Sequence, residues 1–211
     1  MNRFSNIKNI ILDLGAVIIP IDFEHTFRAF SMLSKIPVEE IKSRYQQSSL
    51  FVDFEKGLIG NFAFLRELRL LLNLEPTISD QLLIDAWNAL LLPIPEERIN
   101  RILDLTDTYR IFILSNTNPI HIKKVNEILY DFAGLPALEE VVEHTFYSYD
   151  LGLIKPDPSI YTRTLSQFNL KATETIFLDD NADNITGAES VGICAVLVTE
   201  QLSLLDILKD A

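Results

Sequence analysis

Four short clusters carry the side chains of this chain that are able to do chemistry. Asp13 interrupts the apolar run NIILDLGAVIIPID, residues 9–22. Ser115 and Asn116 follow the run RIFIL. Lys155 stands just before Pro156 in DLGLIKPDPSIY, residues 150–161. Asp179 and Asp180 open DDNADN, residues 179–184. Taken singly, each has an ordinary structural reading. Asp13 with Gly15 makes a turn, Ser115-Asn116 a strand-end turn or helix cap, and Lys155 a solvated surface lysine. The acidic cluster resists that treatment, because Asp179, Asp180 and Asp183 repel one another and a cation relieves the repulsion best. A calcium loop of the EF-hand type starts similarly. Asn184 stands where that loop needs glycine and Ser190 where it needs a bidentate glutamate, and an apolar run precedes it instead of a helix. Magnesium takes few protein carboxylates together with waters and a substrate phosphate, and it fits better.

The elements around these clusters give them a common position. Strands are expected at residues 9–14, 110–116, 175–180 and 193–198, with a shorter one at 144–148, because branched apolar runs there end in turn signals. Helical patterns lie between them, among them residues 118–132 and 157–169. The second opens with Asp157-Pro158, a cap followed by a first-turn proline. Runs apolar on both faces, alternating with helices, predict an α/β fold with a parallel sheet covered on both sides. In such sheets ligands sit at the carboxyl ends of the strands, where Asp13, Ser115-Asn116 and Asp179-Asp180 all fall.

One long segment breaks the alternation. From about residue 23 to 92 only amphipathic helical patterns occur, at 37–47, 61–73 and 79–92, and the Pro-rich hinge LPIPEE, residues 92–97, closes it. The expectation is a core of residues 1–21 and 94–211 with an all-helical cap domain at 22–93.

Composition narrows the function classes. The chain has 211 residues, 48% hydrophobic and 23% charged, which suits a soluble globular fold. A net charge of −12 argues against a nucleic-acid partner. A small phosphorylated substrate stays open, since a local cation reverses the field in one cleft. Cys194 is the single cysteine, so no internal disulfide forms, and its setting VGICAVLV predicts a packed core thiol. Neither a signal peptide nor a membrane span is read, so a cytoplasmic protein is expected. A monomer or weak homodimer is the expected state. His25, His121 and His144 have no metal-ligand spacing and are assigned surface or structural roles.

The order of the motifs resembles the haloacid dehalogenase-like hydrolase superfamily: Asp ending strand one, Ser-Asn after strand two, Lys-Pro before a helix, and a double Asp after a later strand. The stretches ILDLGAVIIPIDF, FEKGLIGNFAFLREL, LSNTN, DLGLIKPDPSIY and FLDDNADNITGA look most like its bacterial glucose-1-phosphate phosphatase-like branch, across nearly the whole chain. That resemblance implies a Rossmann-like core and a Mg²⁺-dependent phosphatase of small phosphomonoesters, with sugar phosphates among the candidates. Asp13 would attack phosphorus to form an aspartyl-phosphate that water hydrolyses. Ser115 and the Asn116 backbone would hold phosphoryl oxygens, and Lys155 would neutralise charge on nucleophile and phosphate. Asp180, the Asp13 carboxylate and the Gly15 carbonyl would ligate Mg²⁺, with Asp179 supporting through water or a second layer of contacts.

Gly15 departs from the superfamily pattern, which has a proton-shuttling Asp two residues after the nucleophile. Such help is typically worth about 10²–10⁴-fold. The resembled branch shares the glycine. An intrinsically good leaving group could compensate, or a cap side chain could supply the proton, with Glu55 and Lys56 of FEKG, also expected to contact substrate, as the candidates. Two other classes remain in view. Metal-independent 2-haloacid dehalogenases also lack the second Asp, but carry small hydroxyl residues where Asp179 and Asp180 stand here. A non-catalytic phosphate-sensing protein would explain Gly15, though not the retained Asp13, Lys155 and Asp180.

Overall fold

A computed structural model describes residues 4–209 and residue 211. Five strands form one fully parallel sheet: β1 (Asn9–Leu12), β2 (Arg110–Ser115), β3 (His144–Tyr147), β4 (Thr175–Asp179) and β5 (Cys194–Leu197), in the spatial order β3-β2-β1-β4-β5. All five lie where the apolar runs predict them. Each ends one or two residues sooner, and just beyond β1 to β4 stand the polar residues Asp13, Asn116, Ser148 and Asp180.

Side-chain alternation divides the sheet into two apolar layers. Ile10, Leu12, Ile111, Ile113, Ile176 and Leu178 face one way. Ile11, Phe112, Leu114, Phe146 and Phe177 face the other. Parallel strands need helices over both faces to bury such runs. The first face meets α6 (Glu96–Leu105), α7 (Pro119–Ala133) and α11 (Leu204–Leu208), through Ile102, Leu129 and Ile207 among others. The second meets α9 (Pro158–Gln167) and α10 (Ala182–Glu189), through Ile160, Tyr161 and Ala188. A four-residue α8 (Ser148–Leu151) follows β3.

Between β1 and α6 come α1 (Phe23–Ser34), α2 (Val38–Gln47), α3 (Leu50–Glu55), α4 (Asn61–Leu71) and α5 (Asp80–Asn88). Their capping follows the sequence: Asp22 Oδ1 accepts the Glu24 amide at 2.9 Å and Ser79 Oγ accepts that of Leu82 at 3.3 Å. These helices close round an aromatic cluster of Phe27, Phe30, Phe51, Phe54, Phe64 and Trp87. The chain enters and leaves this unit side by side. The Asp22 amide donates to Leu90 O at 2.9 Å and the Leu92 amide to Pro20 O at 3.0 Å, around an antiparallel bridge between Ile21 and Leu91. Of the Pro-rich hinge, Pro95 becomes the N-terminal flank of α6 and the glutamates its first turn.

Cys194 corrects an expectation. It is exposed rather than packed, because β5 is an edge strand with little covering it, so an apolar local sequence did not translate into burial. No helix among the described residues is long and apolar enough to cross a membrane.

Candidate active site

The strand register brings the acids together. Leu12 lies opposite Ile113 on one side and Leu178 on the other. One step further on, Asp13 and Asp179 stand side by side at the carboxyl ends of β1 and β4, and the Asp13 amide still donates to Leu178 O at 2.9 Å. The chain order reverses at this point of the sheet, since β2 and β3 run out on one side of β1 and β4 and β5 on the other.

Lys155 reaches this point from the loop before α9. Its Nζ donates to Asp13 Oδ1 at 2.6 Å, to Asp179 Oδ2 at 2.6 Å and to Leu114 O at 2.9 Å. All three ammonium protons are thereby used, in a place where Lys155 is only 3% exposed. Three contacts set that lysine. The Asn116 carboxamide spans its peptide, with Oδ1 accepting Lys155 N–H and Nδ2 donating to Lys155 O, both at 2.9 Å. Ser148 Oγ accepts the Thr117 amide at 2.9 Å and donates to Thr117 O at 3.2 Å, fixing the strand-end loop. Gly187 lets α10 approach Pro156, for a Cβ there would lie 2.3 Å from Pro156 O.

Asp179 is fully buried and held on every side. Asn181 N donates to its Oδ1 at 2.8 Å, and Asn184 Nδ2 lies 2.9 and 3.0 Å from its two oxygens. Asn181 also caps α10, so the acidic cluster is the start of a helix as well as part of the site. Asp13 has a less saturated carboxylate, and Asp180 is exposed beside it. One oxygen from each of Asp13, Asp179 and Asp180 falls within a 4.8 Å group, so a divalent cation with oxygen ligands fits the donor set. The Gly15 carbonyl accepts the Val17 amide at 2.7 Å, which leaves it one lone pair.

The charges reinforce this reading. Burial pushes the Asp13 carboxyl up to about 6, against the opposing pull of Lys155 and with a further push from Asp179. Burial alone would lower Lys155, but the two carboxylates outweigh it and hold the ammonium above its ordinary value. Burial also raises Asp180, with Asp179 adding to it. Three carboxylates against one ammonium leave an excess negative charge, which a divalent cation offsets.

Over Gly15 lies a cavity of about 80 Å³ between the sheet and the helical unit. Gly15, Ser115 and Asn116 line its sheet side, and Ile21, Phe23, Trp87 and Leu91 make apolar walls. Glu55 enters it from the end of α3. The next residues hold it there. Gly57 has φ +66°, and a Cβ would lie 2.1 Å from Tyr149 O, so the chain after Glu55 presses directly on the core backbone and needs glycine to do so. Lys56 turns elsewhere, into a separate groove lined by Lys155, Pro156 and Asp157. A larger depression of about 800 Å³ lies at the opposite end of the sheet, near Asn9, Arg110 and Glu143. Parallel-sheet topology assigns no chemistry to that end.

Of the residues singled out in the sequence, Asp13, Lys155, Asp179 and Asp180 converge directly. Ser115, Asn116, Gly15 and Glu55 share the adjoining cavity. Three contributors have no obvious sequence signal. Asn184 faces Asp179 because it lies five residues on, across the first turn of α10. Trp87 and His121 line the cavity, stacked with ring centroids 4.5 Å apart. His121 Nδ1 faces Asn88 Oδ1 at 2.9 Å, and burial drives the imidazole down to about 3, so it is neutral. It is a neutral, buried part of the cavity wall. His25 pairs with Asp22 at the surface, and His144 packs against Phe146 and Phe168.

Known proteins resemble this chain in sequence and fold. The chain is 29% identical over 186 residues to a D-ribitol-5-phosphate phosphatase of Bacteroides thetaiotaomicron, covering 88% of this chain and 89% of that one. Its fold matches the crystal structure of a HAD family enzyme from the same organism, solved with magnesium and inorganic phosphate, at a TM-score of 0.84 and 30% identity, covering 92% and 94% of the two chains. A predicted HAD-like family hydrolase of Porphyromonas gingivalis matches at a TM-score of 0.81 and 28% identity, covering 92% and 91%. The model of the haloacid dehalogenase-like hydrolases matches residues 7–192, and this chain belongs to that hydrolase family.

Proposed function

We propose that this enzyme is a Mg²⁺-dependent phosphomonoesterase of small phosphorylated metabolites of the sugar or polyol class, working through an aspartyl-phosphate. The observation that carries the reading is Lys155 Nζ held 2.6 Å from both Asp13 and Asp179 at the carboxyl ends of adjacent strands. Such a set offers one nucleophilic carboxylate, one fixed cation and a second carboxylate for a metal. The phosphatase relative and the magnesium-phosphate complex of a structural neighbour support it.

In this mechanism Asp13 attacks phosphorus through the oxygen that Lys155 does not hold. Lys155 keeps that carboxylate ionised and offsets charge as the phosphate dianion enters. Ser115 and the Asn116 backbone hold the phosphoryl oxygens. Asp13, Asp180 and the Gly15 carbonyl would hold Mg²⁺, with Asp179 behind them, and the bound ion would draw charge from a phosphoryl oxygen. The helical unit, residues 22–93, acts as the cap over the leaving group, with Glu55 on the substrate and Lys56 at the groove rim. The leaving group is small, given a cavity of about 80 Å³. The lone unpaired Cys194 agrees with a cytoplasmic setting.

Metal-independent dehalogenation is disfavoured by the excess carboxylate charge, and a purely phosphate-sensing role by the complete Asp13–Lys155 pair. A screen of phosphorylated metabolites with and without Mg²⁺ tests the reading, with D-ribitol 5-phosphate among them. Release of halide from a 2-haloacid in chelator, with no phosphate released from any ester, would overturn it.

A further inference from the structure

We propose that Glu55 is the proton donor to the leaving group, taking over from the cap side the role that a carboxyl at position 15 would fill. The inference rests on the phosphomonoesterase reading of the same site. It starts from a deficit: Gly15 has no proton to give, and Asp13 and Asp179 are engaged by Lys155. A replacement must line the cavity beyond Gly15, be able to hold a proton, and not be tied up elsewhere. Among the lining residues only Glu55 and His121 carry side chains able to take up and release a proton.

His121 fails on two counts. Its Nδ1 faces Asn88 Oδ1, and its buried ring stays unprotonated down to about pH 3. Glu55 passes. It makes no hydrogen bond or ion pair among the described residues, although it lines a largely apolar cavity. Burial raises its carboxyl to about 7, against the pull of Lys155. The other titratable group whose charge reaches it is Tyr45 of α2, itself pushed up to about 12 by burial and so uncharged. The Gly57–Tyr149 contact fixes the loop that follows it, so the carboxyl is presented by a positioned element rather than a free surface.

The chemistry balances. As Asp13 Oδ attacks, the P–O bond to the leaving group breaks and its electron pair stays on the leaving oxygen. That oxygen takes the Glu55 proton and departs as the free alcohol. Glu55, now a carboxylate, takes a proton from the water that attacks the aspartyl-phosphate. Phosphate leaves, Asp13 is regenerated as carboxylate, and Glu55 is again protonated.

The test uses the whole protein with Mg²⁺ and two esters, p-nitrophenyl phosphate, whose phenolate leaves unaided, and D-ribitol 5-phosphate, whose alkoxide needs a proton. Glu55→Gln should lower kcat/KM about 10²–10⁴-fold more for the alkyl ester than for the aryl ester. Gly15→Asp should then restore much of the alkyl rate in the Glu55→Gln background. Position 15 has ordinary backbone angles, and a Cβ there would meet only Ile21 side-chain carbons at 3.4 Å or more. Equal losses on both esters, or no loss on either, would overturn the donor role, and so would absence of rescue in a folded double variant. If the wild type releases phosphate from neither ester, the phosphomonoesterase reading fails and the donor role goes with it, an outcome visible before any variant is made.

Discussion

The carboxamide of Asn116 grips the peptide of Lys155 from both sides, accepting its N–H and donating to its carbonyl at 2.9 Å each. The side chain of the strand-end asparagine therefore has a role of its own, apart from the phosphate contact proposed for its backbone. It sets the height at which Lys155 leaves its loop, and so where Nζ meets Asp13 and Asp179.

Asn116→Ala should lower kcat by about 10–100-fold, because a misplacement of about 1 Å in a charged group costs that much. Lys155→Ala should cost more. If Asn116 acts through Lys155, the double variant will be no slower than Lys155→Ala alone, while additive losses would separate the two residues. Lys155→Arg should rescue poorly, since a planar fork cannot make three converging contacts as an ammonium does.

Lys155→Ala should also destabilise the fold. It leaves Asp13 and Asp179 buried without their cation, and breaking a buried pair typically costs about 3–5 kcal/mol. Chemical denaturation at pH 7 without metal measures it. Saturating Mg²⁺ should recover part of the loss, and a loss unchanged by metal would argue that no cation binds these acids.

Asp13→Asn should remove turnover, by at least about 10⁴-fold, yet melt near the wild-type temperature because Asp179 still neutralises Lys155. Chelator should abolish activity, and Mg²⁺ should restore it. Asn184→Ala, which frees Asp179 on one side, should weaken the metal response about 10–100-fold, and Asp180→Ala more. Metal titration of activity reads both.

His121 gives a stability signature independent of activity. Its pKa falls from 6.5 in the unfolded chain to about 3 when buried. The unfolded state thus binds the extra proton first, so this contribution is complete above pH 6.5 and is lost as pH falls towards 3. Between pH 7 and pH 5 the wild type should lose about 2 kcal/mol more than His121→Phe does. Denaturation midpoints at the two pH values check it. Parallel slopes for both proteins would mean that the imidazole is hydrated in the folded state.

Sequence alone determined the sheet, because its information is local. Ile-rich runs between caps such as Asn118 and Asp157 can satisfy their apolar content only as buried parallel strands, and the register then carries Asp13 and Asp179 to one edge. It determined the excess of acids for the same reason, since three aspartates within five residues repel wherever they are placed. What tertiary structure decided depends on contacts between segments far apart in the chain. Cys194 is exposed because little packs over β5, whereas β3 at the other edge of the sheet is buried, a difference that the apolar neighbours of Cys194 do not encode. Trp87 and His121, thirty-four residues apart, became cavity walls only once α5 packed on α7. Glu55 and Lys56 are adjacent in the sequence, yet Gly57 pressing on Tyr149 leaves one in the cavity and the other in the groove beside Asp157. Side-chain direction at such a junction is set by the surface that the segment lands on, and that surface exists only in the folded chain.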